Sequence, residues 1–425
     1  MRDTVEGEGD AIDHAVEEIL RHLVGDETEA TKSAEAAKSG TRFVALNSVL
    51  YRYSLRAVQQ GRIEDTLLSS HWQRWSTGFA GPGTLRGLAW LLSLQVLAPI
   101  SSTWSDQLQG VRKRYRQQCL QRLDATGRRI RVDGDPLTDP HYRAHDVMAG
   151  QIDLDVQRMF PAQPSGADAY GALRAAVHRL LLGHVAVHHD YCQGMQEVLL
   201  PLLAALAGPI EDDTDDAAAT PEEQLAHRLA RLNSEEMKVV EANAFATFER
   251  LIACTAPIWR SDRIDGQRRR GEPPWIRQHR ALLQATDRPL YLHLFERVGV
   301  HAEHYLIRWM RTLFVQDVAL WRILPVWDAL LLGRADECGY ADAAVQLLPA
   351  VVDYSVAVLV HMRESLLATD HVSDAILLLQ HVHRHFPPTI WLQALEEYDT
   401  LSRCRLGVNG QPPWSAEWPP LPTML

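Results

Sequence analysis

Apolar residues recur at spacings of three and four along almost the whole chain from Phe43 onward, and this pattern restricts the fold to packed α-helices. Strand-like alternation and Asn-Gly hairpin turns are nearly absent. The sequence shows no fixed-period repeat of the kind that marks a solenoid. It therefore predicts an all-α, multi-helical fold with many short helices. The periodic segments are 43–58, 85–97, 172–187, 196–207, 236–253, 303–314, 318–332 and 342–361.

The composition excludes several classes of protein. With 46% hydrophobic residues among 425, the chain can bury a large core, which excludes a wholly disordered protein. A formal net charge of -11 argues against a dedicated nucleic-acid-binding protein. The five cysteines are far apart and form no CxxC pair, which is typical of a reduced, cytoplasmic chain rather than a disulfide framework.

We expect no transmembrane segment. Residues 1–10 are acidic and polar, unlike a secretory signal. The longest apolar run, Val198 to Ile210, is too short to span a bilayer and contains Pro201 and Pro209. A buried helix fits this run better.

Four segments depart from the periodic pattern. Residues 1–40 are acidic and contain one amphipathic stretch, which either docks a partner or, as we favour, forms a short helix that lies on its own domain or frays in solvent. Glu211 to Glu223 and Ser261 to Pro274 are polar, and we expect both to be solvated loops. Gln411 to Pro422 is rich in proline and should be extended; its PPLP stretch could bind a proline-recognising domain, although such matches are common by chance.

Three short patterns occur in order along the chain, and they differ in how often chance would produce them. Composition alone gives about one R-x-x-x-W, about a tenth of an I-x-x-D-x-x-R, and well under roughly one in a hundred Y-x-Q-G-M. The last two therefore carry the most weight. The patterns are Arg86-x-x-x-Trp90, Ile152-x-x-Asp155-x-x-Arg158 and Tyr191-Cys192-Gln193-Gly194-Met195.

These motifs resemble the signature of the TBC-domain family, the Rab GTPase-activating proteins. Glu241-Ala-Asn-Ala-Phe245 and Trp309-x-x-x-Leu313-Phe314, with Trp327-Asp328 after it, extend the resemblance over residues 80–335 and more weakly over 355–380. The segment His188-His189-Asp190 departs from the family, which usually has a small residue next to the tyrosine.

The resemblance implies a fold of two helical subdomains, 78–240 and 241–400, that meet at a concave groove. It implies that the partner is a Rab-like small GTPase in its GTP-bound state. It also implies a role in vesicle trafficking and intracellular protein transport from the cytoplasm, with peripheral association with vesicle or organelle membranes left open. The remaining chain divides into an acidic segment 1–40, a helical lead-in 41–77 and a Pro/Trp-rich tail 401–425.

Arg158 is the candidate arginine finger. GTP hydrolysis is catalysed mainly by positioning and by stabilising the negative charge of the transferring phosphoryl group. An arginine suits this role because it is always charged and presents a planar fork of donors. Ile152 can anchor the helix in the core, and Phe160-Pro161 should end it, because a residue before proline avoids the α region. Arg158 would then project from a last helical turn.

Gln193 is the candidate glutamine finger, which the resemblance implies orients the attacking water in place of the GTPase's own glutamine. A specific alternative exists, because Asp190 and Gln193 have the spacing of a helix-capping box. Gly194 weakens that alternative, since glycine costs about 1 kcal/mol inside a helix, and it also lets two backbones approach closely. Alone, the cap would be favoured; beside Arg158 in the family pattern, we favour the catalytic role.

The other motif residues are expected to support these two. Asp155 can hold the guanidinium of Arg158, or it can form an ordinary i,i+3 ion pair worth a few tenths of a kcal/mol. Tyr191 is expected to wedge the loop in place. Trp90 lies on an apolar face, and Arg86 is expected to brace a loop or helix end, so both should be structural.

We expect neither a metal nor a nucleotide site. His188-His189 and His381-x-His383-x-His385 lack an HExxH or Cys/His framework, so solvated histidines are favoured. No Gly-Lys dipeptide occurs, hence no Walker A loop, and the chain should carry no cofactor of its own. GTP and Mg²⁺ would be carried by the partner GTPase.

The sequence also contains one strongly basic stretch and allows one alternative function. Residues 112–131 are strongly basic and should form a solvated helical face, with docking to an acidic GTPase surface or to lipid as the alternative. The alternative to a GTPase-activating protein is a non-catalytic, GTPase-binding scaffold or adaptor in membrane traffic. The presence of both Arg158 and Gln193 favours the catalytic function.

Overall fold

All regular secondary structure in the described part of the chain is helical, which confirms the predicted all-α fold. The computed structural model describes residues 84–98, 103–120, 140–160, 169–207, 220–259, 272–332 and 347–407. The expectations for 1–40, for the lead-in 41–77 and for Gln411 to Pro422 lie outside these residues.

The described residues form two compact units, divided between Arg250 and Leu251 inside one long helix. The boundary that we predicted, 240/241, falls in the same helix. The first unit contains α1 Leu85–Ser93, α2 Trp104–Gln118, α3 Pro140–Met159, α4 Gly171–His188, α5 Met195–Leu206 and α6 Pro221–Arg231, and α7 Ser234–Cys254 crosses the division.

The second unit consists of short and medium helices. A π-helical segment, Leu292–Val298, follows the helix that ends at Tyr291. The last helix continues to Gly407, so the predicted start of the tail at 401 falls inside it. The helices are α8 Ala256–Trp259, α9 Pro274–Thr286, α10 Arg288–Tyr291, α11 Glu303–Thr312, α12 Leu320–Leu332, α13 Leu347–His361, α14 Arg363–Leu367, α15 Val372–Gln380, α16 Val382–His385 and α17 Ile390–Gly407.

Helix α4 is the centre of the first unit, because it packs against α2, α3, α5 and α6. Ten of its residues are buried. Gly183 permits a close approach to the end of α2, since a Cβ at this position would lie 2.9 Å from Cys119 Sγ. Helix α5 is buried along its length, as predicted for the apolar run beginning at Val198.

A buried carboxylate joins three of these helices. Glu241 on α7 accepts hydrogen bonds from Arg179 on α4, with Nε at 3.0 Å, and from the hydroxyl of Tyr115 on α2 at 3.0 Å. Burial, and then the charge of Glu241, raise the pKa of Tyr115 well above its ordinary value, so its hydroxyl remains a donor. The acidic residue of the Glu241–Phe245 segment therefore holds the first unit together.

Aromatic packing builds the core of the second unit. Trp309 and Phe314 lie against Trp391, with ring centroids 5.8 and 5.7 Å away, and Phe314 meets the edge of Tyr354 at 4.9 Å. Trp327 Nε1 donates to the carbonyl of Leu313 at 3.1 Å. The later tryptophan motif is therefore structural.

Two predicted boundaries need correction. Glu211 to Glu223 was expected to be a loop, but α6 starts at Pro221 with a complete capping box, in which Thr220 and Glu223 bond each other's backbone amides. Helix α9 likewise starts at Pro274, the end of the second expected loop. No helix in the described ranges has the length and apolar character to cross a membrane.

Candidate functional site

Arg158 lies in the last turn of α3, as the sequence predicts. The helix ends at Met159, and Arg174 donates to the carbonyl of Phe160 at 3.1 Å just beyond the end. Ile152 is fully buried two turns earlier and fixes the inner face of the helix. The side chain of Arg158 is 68% exposed, so its guanidinium is open to solvent.

Asp155 holds a buried carboxylate beneath this arginine, with only 1% of its side chain exposed. Arg158 Nη1 donates to Oδ1 at 3.3 Å, and Gln151 Nε2 lies 3.0 Å from both carboxylate oxygens. The hydroxyl of Tyr191 donates to Oδ2 at 2.9 Å. The carboxylate is therefore a buried hydrogen-bonded anchor and not the exposed surface ion pair of the alternative interpretation.

Tyr191 continues this network into the loop that precedes α5. Its hydroxyl also lies 2.9 Å from Gln196 Oε1, and the same amide oxygen accepts from the backbone of Gly194 at 3.0 Å. Burial, followed by the charge of Asp155, raises the pKa of Tyr191 above its ordinary value, so the phenol stays protonated and donates. We call the set Asp155, Tyr191, Gln196 and Gly194 the anchor network.

The loop between α4 and α5 presents Gln193 to solvent. His189 has φ of 55° at the end of α4, and Gly194 has φ of 111° as the residue that precedes α5. Gln193 is exposed between these two turns. The positive φ of Gly194 explains the glycine, because this conformation is strained for residues with a Cβ.

The capping-box alternative for Asp190 and Gln193 is wrong. Helix α5 begins at Met195 and its N-cap is Gly194, with no side-chain cap hydrogen bond. Gln193 therefore lies outside the helix, and a capping function does not account for it.

The motif residues separate into two groups. Arg158, Asp155, Tyr191 and the Gln193–Gly194 turn lie on adjoining segments joined by the anchor network. Arg86 and Trp90 are buried in α1. That helix is tied to α5 through Thr84 Oγ1, which donates to the carbonyl of Ala205 at 2.5 Å, in keeping with a structural role for the first motif.

Comparison with known proteins gives the family. The profile of the Rab-GTPase-TBC domain matches residues 84–348. The chain belongs to this family. TBC1 domain family member 5 from Homo sapiens is 24% identical over 368 residues, which are 76% of this chain and 42% of that protein. A TBC domain-containing protein from Schizosaccharomyces pombe is 25% identical over 53% of this chain and 34% of its own length.

A solved TBC domain has the same fold. The crystal structure of the Ypt/Rab-GAP domain of Gyp1p superposes with a TM-score of 0.60, at 16% identity, and the match covers 92% of this chain and 99% of that one. At this identity, the similarity shows the fold alone. The chain spans less than half of the length of the curated relatives above.

Sequence reasoning missed one member of the anchor network in this TBC domain. Gln196 is buried, and its Oε1 accepts from the backbone of Gly194 and lies 2.9 Å from the hydroxyl of Tyr191, yet the residue lies in an apolar helix and belongs to no recognised motif. Its polar side chain among Met195, Val198 and Leu199 was the available signal, because a buried amide needs partners.

Of the histidines expected to be solvated, His189, His383 and His385 are exposed as predicted, whereas His188 has a side-chain partner. His188 is 45% exposed but hydrogen-bonds to Glu249, as does the buried His184, at 2.5 Å through Nδ1. His381 lies just before the short helix that contains His383 and His385.

Proposed function

We propose that the chain is a GTPase-activating protein that supplies Arg158 and Gln193 in trans to a Rab-like small GTPase loaded with GTP. The observation that carries the proposal is that both side chains are exposed, while the backbone segments that present them are joined by the buried anchor network. A surface of this kind offers a cation and an amide to a partner at little reorganisation cost.

The roles follow from the chemistry of phosphoryl transfer. The GTPase brings GTP and Mg²⁺, and what it lacks is a cation at the transferring group and a fixed attacking water. Arg158 supplies the charge, with Asp155 restricting the guanidinium from below. Gln193 has a donor and an acceptor on one amide, which suits it to hold the water.

The outer face of α3 offers a docking surface next to Arg158. Val147 and Leu154 are 72% and 50% exposed, and their spacing from Arg158 places all three along one side of the helix. Exposed apolar side chains beside a finger arginine suit contact with a partner, because apolar groups dominate the centre of protein interfaces. We call Val147, Leu154 and Arg158 the docking stripe and propose that it contacts the GTPase.

A Rab-type partner would place the chain at the cytoplasmic face of vesicle or organelle membranes, where it would act in vesicle trafficking. Attachment would then come from the GTP-loaded partner. Fractionation with and without the GTP-loaded partner tests this placement; membrane recovery that is independent of the partner would contradict it.

The test of the activity is phosphate release from a panel of GTP-loaded Rab proteins. We expect the wild-type chain to accelerate hydrolysis by at least one of them, and we expect Arg158→Ala and Gln193→Ala to lose most of that acceleration. Arg158→Lys should also be severely impaired, since a point charge does not reproduce the planar fork. Arg231→Ala, which changes an exposed arginine on α6, is the matched control and should retain activity.

Two outcomes contradict the proposal. If every Rab protein hydrolyses GTP only at its intrinsic rate in the presence of the chain, the proposed catalytic function is refuted. Stable capture of a GTP-bound partner by both wild type and Arg158→Ala, without turnover in either, would instead identify a scaffold or adaptor.

A further inference from the structure

Three side chains of the first unit converge at the end of α4. His184 and His188 are one turn apart on this helix and therefore share a face, and Glu249 on α7 lies opposite them. One ligand atom from each residue can be chosen so that all three lie within 4.8 Å of one another. Within the described ranges, this is the only group of three or more His, Cys, Asp or Glu side chains so arranged.

We propose that His184, His188 and Glu249 bind a zinc ion. Two imidazole nitrogens and one carboxylate oxygen are a ligand set that Zn²⁺ takes in proteins, with water in the fourth position. Imidazole also suits other first-row metals, but Ca²⁺ and Mg²⁺ prefer oxygen ligands and do not match a set with two imidazole nitrogens.

The orientation of the three side chains fits a shared ion. His184 Nδ1 lies 2.5 Å from Glu249 Oε1, and His188 Nε2 faces the other carboxylate oxygen, Oε2. The two imidazole rings lie side by side with centroids 4.7 Å apart. Each residue therefore directs a ligand atom into the same small volume.

The change needed to admit the ion is small. Ligands at about 2.1 Å around a tetrahedral ion stand about 3.4 Å apart, so the carboxylate has to withdraw by about 1 Å from each imidazole. The widest pair of ligand atoms, which now lie within 4.8 Å, has to close towards the same separation. Glutamate can do this by rotating its side chain, and the imidazole protons that now face the carboxylate would leave as the metal binds.

One side of the proposed site is buried and the other is open to solvent, as a site with one water ligand requires. The side chains of His184 and Glu249 are 4% and 12% exposed, whereas that of His188 is 45% exposed. Phe248 closes the inner side, with its ring 5.3 Å from that of His184. An ion can therefore enter from the His188 side and retain a water there.

The site lacks the general base of the HExxH zinc enzymes, and we assign it a structural or regulatory role. The residues between the two histidines are Val185, Ala186 and Val187, so the glutamate that serves as general base in HExxH sites is missing. His188 is the last residue of α4, and the loop with Gln193 follows it. A bound ion would fix the last turn of α4 against α7 at the base of that loop.

The experiment is Zn²⁺ binding to the full chain after removal of metal with a chelator, measured by competition with a chromophoric chelator and by metal content after dialysis. We expect one equivalent of Zn²⁺ that is lost in His188→Ala and in Glu249→Gln. Loss of a direct ligand should weaken binding by at least about 100-fold, the upper end for outer-shell partners.

Matched controls and a second readout keep the test decisive. His189→Ala changes an exposed histidine next to the site, and His383→Ala changes one in the second unit. Both variants should still bind one equivalent of Zn²⁺. Zn²⁺ should raise the melting temperature of the wild type but not of His188→Ala, whose half-exposed position makes misfolding a small concern. Equal Zn²⁺ content in wild type, His188→Ala and Glu249→Gln would overturn the proposal, as would no Zn²⁺ bound by the wild type.

Discussion

Replacing Tyr191 with phenylalanine removes one hydroxyl from the centre of the anchor network. That hydroxyl lies 2.9 Å from an oxygen of Asp155 and 2.9 Å from the amide oxygen of Gln196. In the variant, Asp155 keeps its contacts with Gln151 and Arg158, and Gln196 keeps the backbone amide of Gly194. The single hydroxyl proton can serve only one of these two buried acceptors at a time, so the pair loses one hydrogen bond without gaining access to water.

The magnitude follows from the charge and burial of Asp155. A hydrogen bond to a charged group contributes about 1.5–3 kcal/mol, and leaving a buried acceptor short of a donor adds to the loss. Because Asp155 retains two donors, we expect the free energy of unfolding to fall by about 2 kcal/mol. For a unit of this size, that corresponds to a melting temperature lower by roughly 4–8 °C.

The assay is urea denaturation with Tyr170→Phe as the matched control. The hydroxyl of Tyr170 lies 3.4 Å from Thr220 Oγ1 in an exposed position, so its removal should change the free energy of unfolding by less than about 0.5 kcal/mol. If Tyr191→Phe were no more destabilising than Tyr170→Phe, the anchor network would not contribute to stability in the way the geometry indicates.

Three further predictions concern other residues. Leu154→Ser should lower kcat/KM for the GTPase reaction about fivefold, because an interface contact worth about 1 kcal/mol is lost. Leu377 is equally exposed, and Leu377→Ser should leave kcat/KM unchanged; equal effects of the two substitutions would contradict the proposed docking stripe. Gly194→Ala should lower the free energy of unfolding, measured by urea denaturation, by about 1–2 kcal/mol because Gly194 has a φ of 111°. Gly150 lies at an open helical position, so Gly150→Ala should raise the free energy of unfolding by about 0.5–1 kcal/mol. A change of the same sign in both variants would contradict this prediction. Burial lowers the pKa of His279 from 6.5 to about 3. Neutral His279 therefore contributes fully to the free energy of unfolding above pH 6.5, and this contribution is lost at about 1.4 kcal/mol per pH unit as the pH falls towards 3. His279→Gln should therefore lose about 2 kcal/mol less stability than wild type between pH 6.5 and 5, and parallel pH curves would refute this.

The sequence predicted the helices and the end of the segment that carries Arg158 because these depend on local chemistry. The spacing of Ile152 and Arg158, with Phe160-Pro161 after them, was enough to place the arginine in a last helical turn. The glycine at 194 was noticed, but its positive φ was not predicted. Local patterns determine such features without knowledge of distant residues.

Contacts between distant residues could not be predicted in this way. Tyr191 and Asp155 are separated by 36 positions, and Glu249 lies 65 positions after His184. Helical periodicity tells which face of a helix is buried, but not which residue of another helix meets it. The Thr220 cap was missed for a different reason, because the acidic run before it obscured a complete T-P-E-E start signal.

The central claim is that Arg158 reaches the transition state of GTP hydrolysis on a partner. The most direct measurement is the affinity of the chain for the responding Rab protein loaded with GDP and aluminium fluoride, which imitates the transferring phosphoryl group, because interactions made only in the transition state appear as tighter binding of such analogues. We predict that aluminium fluoride strengthens the complex of the wild-type chain at least about 100-fold and that of Arg158→Ala hardly at all. Equal strengthening of both complexes would contradict the claim.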